Sequence, residues 1–170
     1  NEDPIVEGWL RDWYTGEHLS DATILFAYDD NGELQTIEQT TDVDGYFMTQ
    51  VPADRDYDLF IYADGYWAEH DAFYLSPGDH HVLEIGIAPL DMAARVYGSV
   101  TDAYSGDMIH GAEAVLHCGD SEDWDHTGAL GTYRVFSYYP DDCEDGNLSV
   151  WADGYRTQHF SAGDLGLEAG

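Results

Sequence analysis

The side chains with chemistry to offer in this 170-residue chain are 35 carboxylates, eight histidines and two cysteines, set among five arginines and no lysine. Without a lysine amine there is no Schiff base, no phosphate-loop lysine and no Lys–Asn isopeptide bond. Carboxylates are so abundant that spacing alone singles out no acid and base pair, and neither a nucleophile elbow nor a triad spacing stands out. The chain therefore reads as a non-enzyme. Asp29, Asp30, Asn31, Asp42 and Asp44 sit in turn-like stretches, where oxygen donors could hold Ca2+, which takes about six to eight of them. Plain turn chemistry competes with that reading. An EF-hand with Asp42 and Asp44 as its third and fifth residues would need acids at 40 and 51, where Thr40 and Val51 stand. The loop from Asp120 to Asp125 is a further cation candidate. His70, His80 and His81 form no HxH or HExxH motif, so solvated histidines compete with a transition-metal site. Cys118 and Cys143 lie in no CxxC or Cys/His ligand pattern. A disulfide between them implies an oxidising compartment, and two reduced thiols in a cytosolic protein are the alternative.

The formal charge is −30. Such a surface repels nucleic acid and anionic lipid, and both are excluded as partners. Salt or calcium in the medium would relieve the self-repulsion, since the Debye length falls to about 3 Å at 1 M salt. No apolar run approaches the roughly 20 residues of a membrane span. The start at Asn1-Glu2-Asp3, without Met, reads as a processed, mature form. With 44% hydrophobic residues the chain is no disordered acidic tail.

These residues are positioned by a unit written twice. Ala63-Asp64-Gly65-Tyr66 returns as Ala152-Asp153-Gly154-Tyr155, at 153 − 64 = 89, and Gly8-x3-Asp12-x3-Gly16 returns as Gly98-x3-Asp102-x3-Gly106, at 98 − 8 = 90. The duplication predicts two domains, residues 1–88 and 95–170, joined by a linker over 89–94. Short β-rich runs alternate with turn signals such as Asp29-Asp30-Asn31-Gly32, Asp42-Val43-Asp44-Gly45 and Ser76-Pro77-Gly78-Asp79. They predict an all-β fold of two tandem seven-stranded antiparallel sandwiches, with a polar loop over 119–127 and a short or incomplete last strand in the second.

The motifs Val6-x-Gly8-x-Leu10-x-Asp12-x3-Gly16-x2-Leu19-x2-Ala22, Thr41-Asp42-x-Asp44-Gly45-Tyr46-Phe47 and Tyr57-x-Leu59-x-Ile61-x-Ala63-x-Gly65-Tyr66 carry a resemblance. Each copy is similar to the carboxypeptidase regulatory-like domain, a transthyretin-like, immunoglobulin-like sandwich repeated in secreted and surface proteins. The second copy departs from it at Gly131-Thr132-Tyr133 and in its cysteine pair. The resemblance implies a non-catalytic module and names no partner.

Asp64, Gly65 and Tyr66, with Asp153, Gly154 and Tyr155, read as corner chemistry: glycine supplies a positive φ and the tyrosine hydroxyl bonds to backbone. Strand alternation turns Val6, Gly8, Leu10, Ala22, Ile24, Phe26, Tyr57, Leu59 and Ile61 inward. It leaves Trp9, Leu25, Ala27, Phe60 and Tyr62 outward, on one sheet if the arrangement is immunoglobulin-like. An outward aromatic patch of that kind, with Leu165 and Leu167 on the short last strand, marks an interface. The expectation is an extracellular or cell-surface structural subunit that self-associates through sheet edges into a filament, tube or sheet. The alternatives are a carbohydrate-binding or adhesion module, with Trp9, Trp13, Tyr14, Trp67 or Trp124 stacking on polysaccharide, and a spacer from a larger surface protein.

Overall fold

A computed structural model describes residues 2–143 and 145–165. The chain divides into two compact units, Asn1–Pro89 and Leu90–Gly170. The first holds seven strands: β1 (Ile5–Asp12), β2 (Thr23–Asp30), β3 (Glu33–Thr40), β4 (Tyr46–Gln50), β5 (Arg55–Tyr62), β6 (Glu69–Leu75) and β7 (His80–Ile87). They form two sheets, ordered β4-β1-β7 and β3-β2-β5-β6. All pairs are antiparallel except β1 with β7, which run parallel from Ile5 opposite His80 to Asp12 opposite Ile87. The parallel pair arises because β7 crosses over from β6 in the other sheet and so arrives in the same sense as β1.

Alternation builds the core. Val6 and Leu10 face Ile24, Phe26, Tyr57, Leu59 and Ile61, all fully buried. Gly8 sits between the two inward residues of β1 because β7 passes close: a Cβ there would come within 2.6 Å of the Leu83 carbonyl oxygen.

The second unit repeats the plan, with six strands among its described residues. Its strands are β8 (Ala94–Ser99), β9 (Glu113–Cys118), β10 (Ser121–His126), β11 (Thr132–Ser137), β12 (Asn147–Trp151) and β13 (Gln158–Ser161), followed by a single helical turn, α1 (Ala162–Leu165). They form the sheets β10-β9-β12-β13 and β11-β8. These are the counterparts of β3-β2-β5-β6 and β4-β1. The short last strand expected around Leu165 is not seen among the described residues: Leu165 closes α1, and the residues after it lie outside the described ones.

Two local expectations change. Ala94, assigned to the linker, already belongs to β8. The supposed polar loop over 119–127 holds a strand, β10, although its inward positions carry Asp123 and Asp125. Those carboxylates accept backbone N–H groups of β11, from Phe136 at 2.7 Å and from Arg134 at 2.8 Å. An acid facing inward is tolerated here because it satisfies donors on the edge of the opposite sheet.

Candidate functional site

The duplicated motifs prove to be latches. Asp12 closes β1 with an Asx turn: its Oδ1 accepts the N–H groups of Tyr14 at 2.8 Å and Thr15 at 2.9 Å, and Gly16 follows at φ 72°. Its Oδ2 accepts the hydroxyl of Tyr66 at 2.8 Å. The tyrosine of Asp64-Gly65-Tyr66 therefore bonds to a carboxylate and not, as the corner reading had it, to backbone. Asp102 repeats the turn with Tyr104 and Ser105 at 2.7 and 2.8 Å, and bonds the Tyr155 hydroxyl. Gly65 and Gly154, at φ 83° and 82°, make the corners that aim the two tyrosines.

The latches match, but the space behind them does not. In the first unit the end of β7 fills it. The Ile87 carbonyl accepts the Trp13 N–H at 2.9 Å, the Ala88 carbonyl accepts the Trp67 N–H at 2.9 Å, and Pro89 bridges Tyr66. In the second unit the corresponding space is a groove of about 700 Å³ walled by Val100, Ile109, Val150, Trp151 and Tyr155. The counterparts of Trp13 and Trp67 are Ala103 and Arg156, both exposed at its rim.

Among the described residues the strand beside the groove has one unpaired edge. Among the described residues β8 pairs only with β11, whereas β1 lies between β4 and β7. Arg134 and Phe136 turn their N–H groups away from β8, toward the β10 carboxylates. Their register partners Tyr97 and Arg95 are therefore in non-hydrogen-bonded pairs with β11. Alternation then aims the N–H and C=O groups of Tyr97 and Ser99 at the open side.

The expected aromatic patch does not form as one surface. Trp9 lies on the outer face of β4-β1-β7, tilted on Tyr46 at 5.2 Å, whereas Leu25, Phe60 and Tyr62 lie on β3-β2-β5-β6. The immunoglobulin-like assumption put β1 in the wrong sheet. Ala27 and Phe60 are also buried, at 3% and 8% exposure, with the Phe60 ring against His70 and Tyr62. Leu165 packs on the second core. Leu167 is outside the described residues.

The candidate metal residues disperse. Asp29 accepts the Gly32 N–H, Asp30 pairs with Arg55 at 3.0 Å and accepts the Asn31 amide, and Asp42 accepts the N–H groups of Asp44 and Tyr46. These two turns lie at opposite ends of the eight-residue β3, roughly 26 Å apart. His70 is buried against Asp58 at 2.7 Å, His80 meets Glu7 at 2.8 Å, and the His81 ring lies tilted on Phe73 at 4.5 Å. Among the described residues no three His, Cys, Asp or Glu side chains gather around a cation position. Cys118 and Cys143 are joined in a buried disulfide that ties the end of β9 to the segment before β12. No described helix is long and apolar enough to cross a membrane.

No family model matches the chain, and no curated protein matches it in sequence. Among solved structures, the Bacillus anthracis TIE protein aligns over 95% of this chain at 18% identity and a TM-score of 0.43. The chain spans 31% of that protein. A shaft pilin, SpaA from Lactobacillus rhamnosus GG, aligns over 95% of this chain and 93% of its own at 11% identity and TM-score 0.40. A 3-chlorocatechol 1,2-dioxygenase from Rhodococcus opacus 1CP aligns over 53% of this chain and 61% of its own at 14% identity and TM-score 0.42. A surface protein and an enzyme at the same low similarity carry no role to this chain.

Proposed function

We propose that this chain is a non-enzymatic structural subunit of an extracellular or cell-surface assembly, joined to its neighbours through a sheet edge. The observation that supports this reading is the edge of β8, unpaired among the described residues where its counterpart β1 carries a strand on either side. An exposed row of backbone donors and acceptors beside an apolar groove is a template for pairing with another chain. The disulfide fits an oxidising location, and salt at the cell exterior would screen the −30 charge.

Electron microscopy and sedimentation of the native material, at high protein and high salt, test this. Extended or sheet-like particles are expected. Monodisperse monomers under every such condition would sink the proposal. A proline at Tyr97, which removes one open-edge N–H and leaves the β11 ladder intact, is expected to shorten the particles.

Exposed Trp13 and Trp124, at 48% and 56%, favour a second reading as a carbohydrate-binding module. Polysaccharide pull-down that is lost in Trp13→Ala or Trp124→Ala would carry it.

A further inference from the structure

The corner motifs frame a second kind of cavity, and they frame it twice. In the first unit it measures about 450 Å³ and is bounded by Leu19, Ala63, Asp64 and Tyr66; in the second it measures about 410 Å³ and is bounded by Ile109, Ala152, Asp153 and Tyr155. A threonine fixes each frame. The Thr41 hydroxyl donates to the Leu19 carbonyl at 2.7 Å and accepts the Ala22 N–H at 3.0 Å, and the Thr127 hydroxyl does the same with Ile109 at 2.6 Å and Ala112 at 2.9 Å. The cavity is a property of the fold, since it is present in the unit whose seven strands are all described. The row of the sheet beside it differs between the copies. Across β3, β2 and β5 that row is Thr40, Thr23 and Tyr62, with Glu38 two residues before Thr40. Across β10, β9 and β12 it is His126, Glu113 and Trp151, with Trp124 two residues before His126. All four positions differ while the frame keeps its chemistry.

In the second unit the four side chains make one strip. Asp123 and Asp125 face inward, so Trp124 and His126 face out. The His126 Nε2 lies 3.0 Å from the Glu113 Oε1, and that pairing holds the other ring nitrogen and the other carboxylate oxygen in place. The Trp124 ring meets the His126 ring edge-on at 5.0 Å and is 56% exposed. Half-buried Trp151 walls the cavity at the other end. Two strands and two residues separate the tryptophans, about 12 Å between backbones, which is more than one pyranose ring covers. The CH-bearing face of such a ring is apolar and suits an indole, while its hydroxyls need donors and acceptors held in place. Resting on the carbohydrate reading above, we infer that this strip binds an uncharged hexose polymer. One ring stacks on Trp124 and a later one on Trp151, and the hydroxyls between them bond to His126 and Glu113. Charge selects the ligand. An anionic polymer is repelled by a −30 chain, and a cationic one has 35 carboxylates to choose from, whereas Glu113 is already engaged by His126.

The test is affinity electrophoresis of the full chain in gels holding an α-glucan, a β-glucan or a galactomannan, with alginate as the anionic and chitosan as the cationic comparison. Retardation by a neutral polymer is the expected result. The variants Trp124→Glu and, together, Glu113→Thr with His126→Thr carry the first unit's own residues at the same register, which guards against a folding defect. Each is expected to weaken retardation about tenfold. Affinity for soluble fragments of the retarding polymer should rise about tenfold from one sugar to four, as two separated stacking positions require. Equal affinity for the single sugar overturns the inference, as does stronger retardation by alginate or chitosan. Binding that survives Trp124→Glu and the double variant but is lost in Trp13→Ala overturns the strip as the site and leaves the carbohydrate reading standing. No retardation by any neutral polymer overturns both.

Discussion

Two carboxylates show how burial and hydrogen bonding push the same group in opposite directions. Burial raises the carboxyl of Asp12, but the Thr15 N–H, the Tyr66 hydroxyl and the Tyr14 N–H outweigh it, so the net shift is downward. The phenol of Tyr66 is pushed up to about 12 by burial and by Asp12. A depressed carboxyl stabilises the fold above its unfolded value and loses that contribution as pH falls through the lower folded one. Tyr66→Phe is expected to cost the first unit about 1 to 2 kcal/mol at neutral pH and to flatten its acid limb, as read by urea melts. Tyr155→Phe removes the same bond at a half-exposed site and should cost less. Asp123 is the reverse case. Burial first, with repulsion from Asp125, pushes it up to about 6 against the Phe136 N–H. Between about pH 4 and 6 the folded second unit holds a proton that the unfolded chain has released, so its stability falls as pH rises through that window. Asp123→Asn keeps an acceptor for Phe136 and removes the ionisation. The second unit should then be more stable at pH 7 and lose its slope between pH 4 and 6; an unchanged slope in denaturant titrations would refute this.

At the level of strands, the inward residues of β1, β2 and β5 are legible in the sequence because alternation has a period of two, and an Asp followed within four residues by Gly marks the turn after each: Asp12 and Gly16, Asp29 and Gly32, Asp64 and Gly65. Which sheet a strand joins is not legible. Alternation separates two faces and says nothing about lateral partners, so Trp9 was grouped with Phe60 although β1 pairs with β4 and β7. It also cannot tell outward from exposed, as buried Phe60 demonstrates. Strand β10 hides for another reason: its inward side chains answer backbone N–H groups of β11, so no apolar stripe announces it. The groove left no motif at all. The disulfide was legible as a pairing, and its position now gives it a task. It closes a loop, with a sequence separation of 25 residues, that holds β10 and β11. Cys118→Ser with Cys143→Ser is expected to lower the stability of the second unit by roughly 3 kcal/mol and to leave the first unit's melting unchanged.

For the whole chain, 35 acids against five arginines make self-repulsion the term most open to the medium. Melting temperature should rise with added salt up to about 1 M, where the Debye length is about 3 Å. A melting temperature indifferent to salt would mean that repulsion among the carboxylates is equally weak in the folded and unfolded chains. The two units should also respond differently to tension. In the first, β1 enters and β7 leaves from opposite ends of a parallel ladder, so a pull along the chain slides eight residue pairs past one another at once. The second unit has no such terminal pair among its described strands, since β8 and β13 belong to different sheets. Its ladders can open one bond after another. In single-molecule stretching the second unit should give way first and at the lower force. A strand seated along β8 would add a sliding ladder there, so that whatever chain supplied it would share the load.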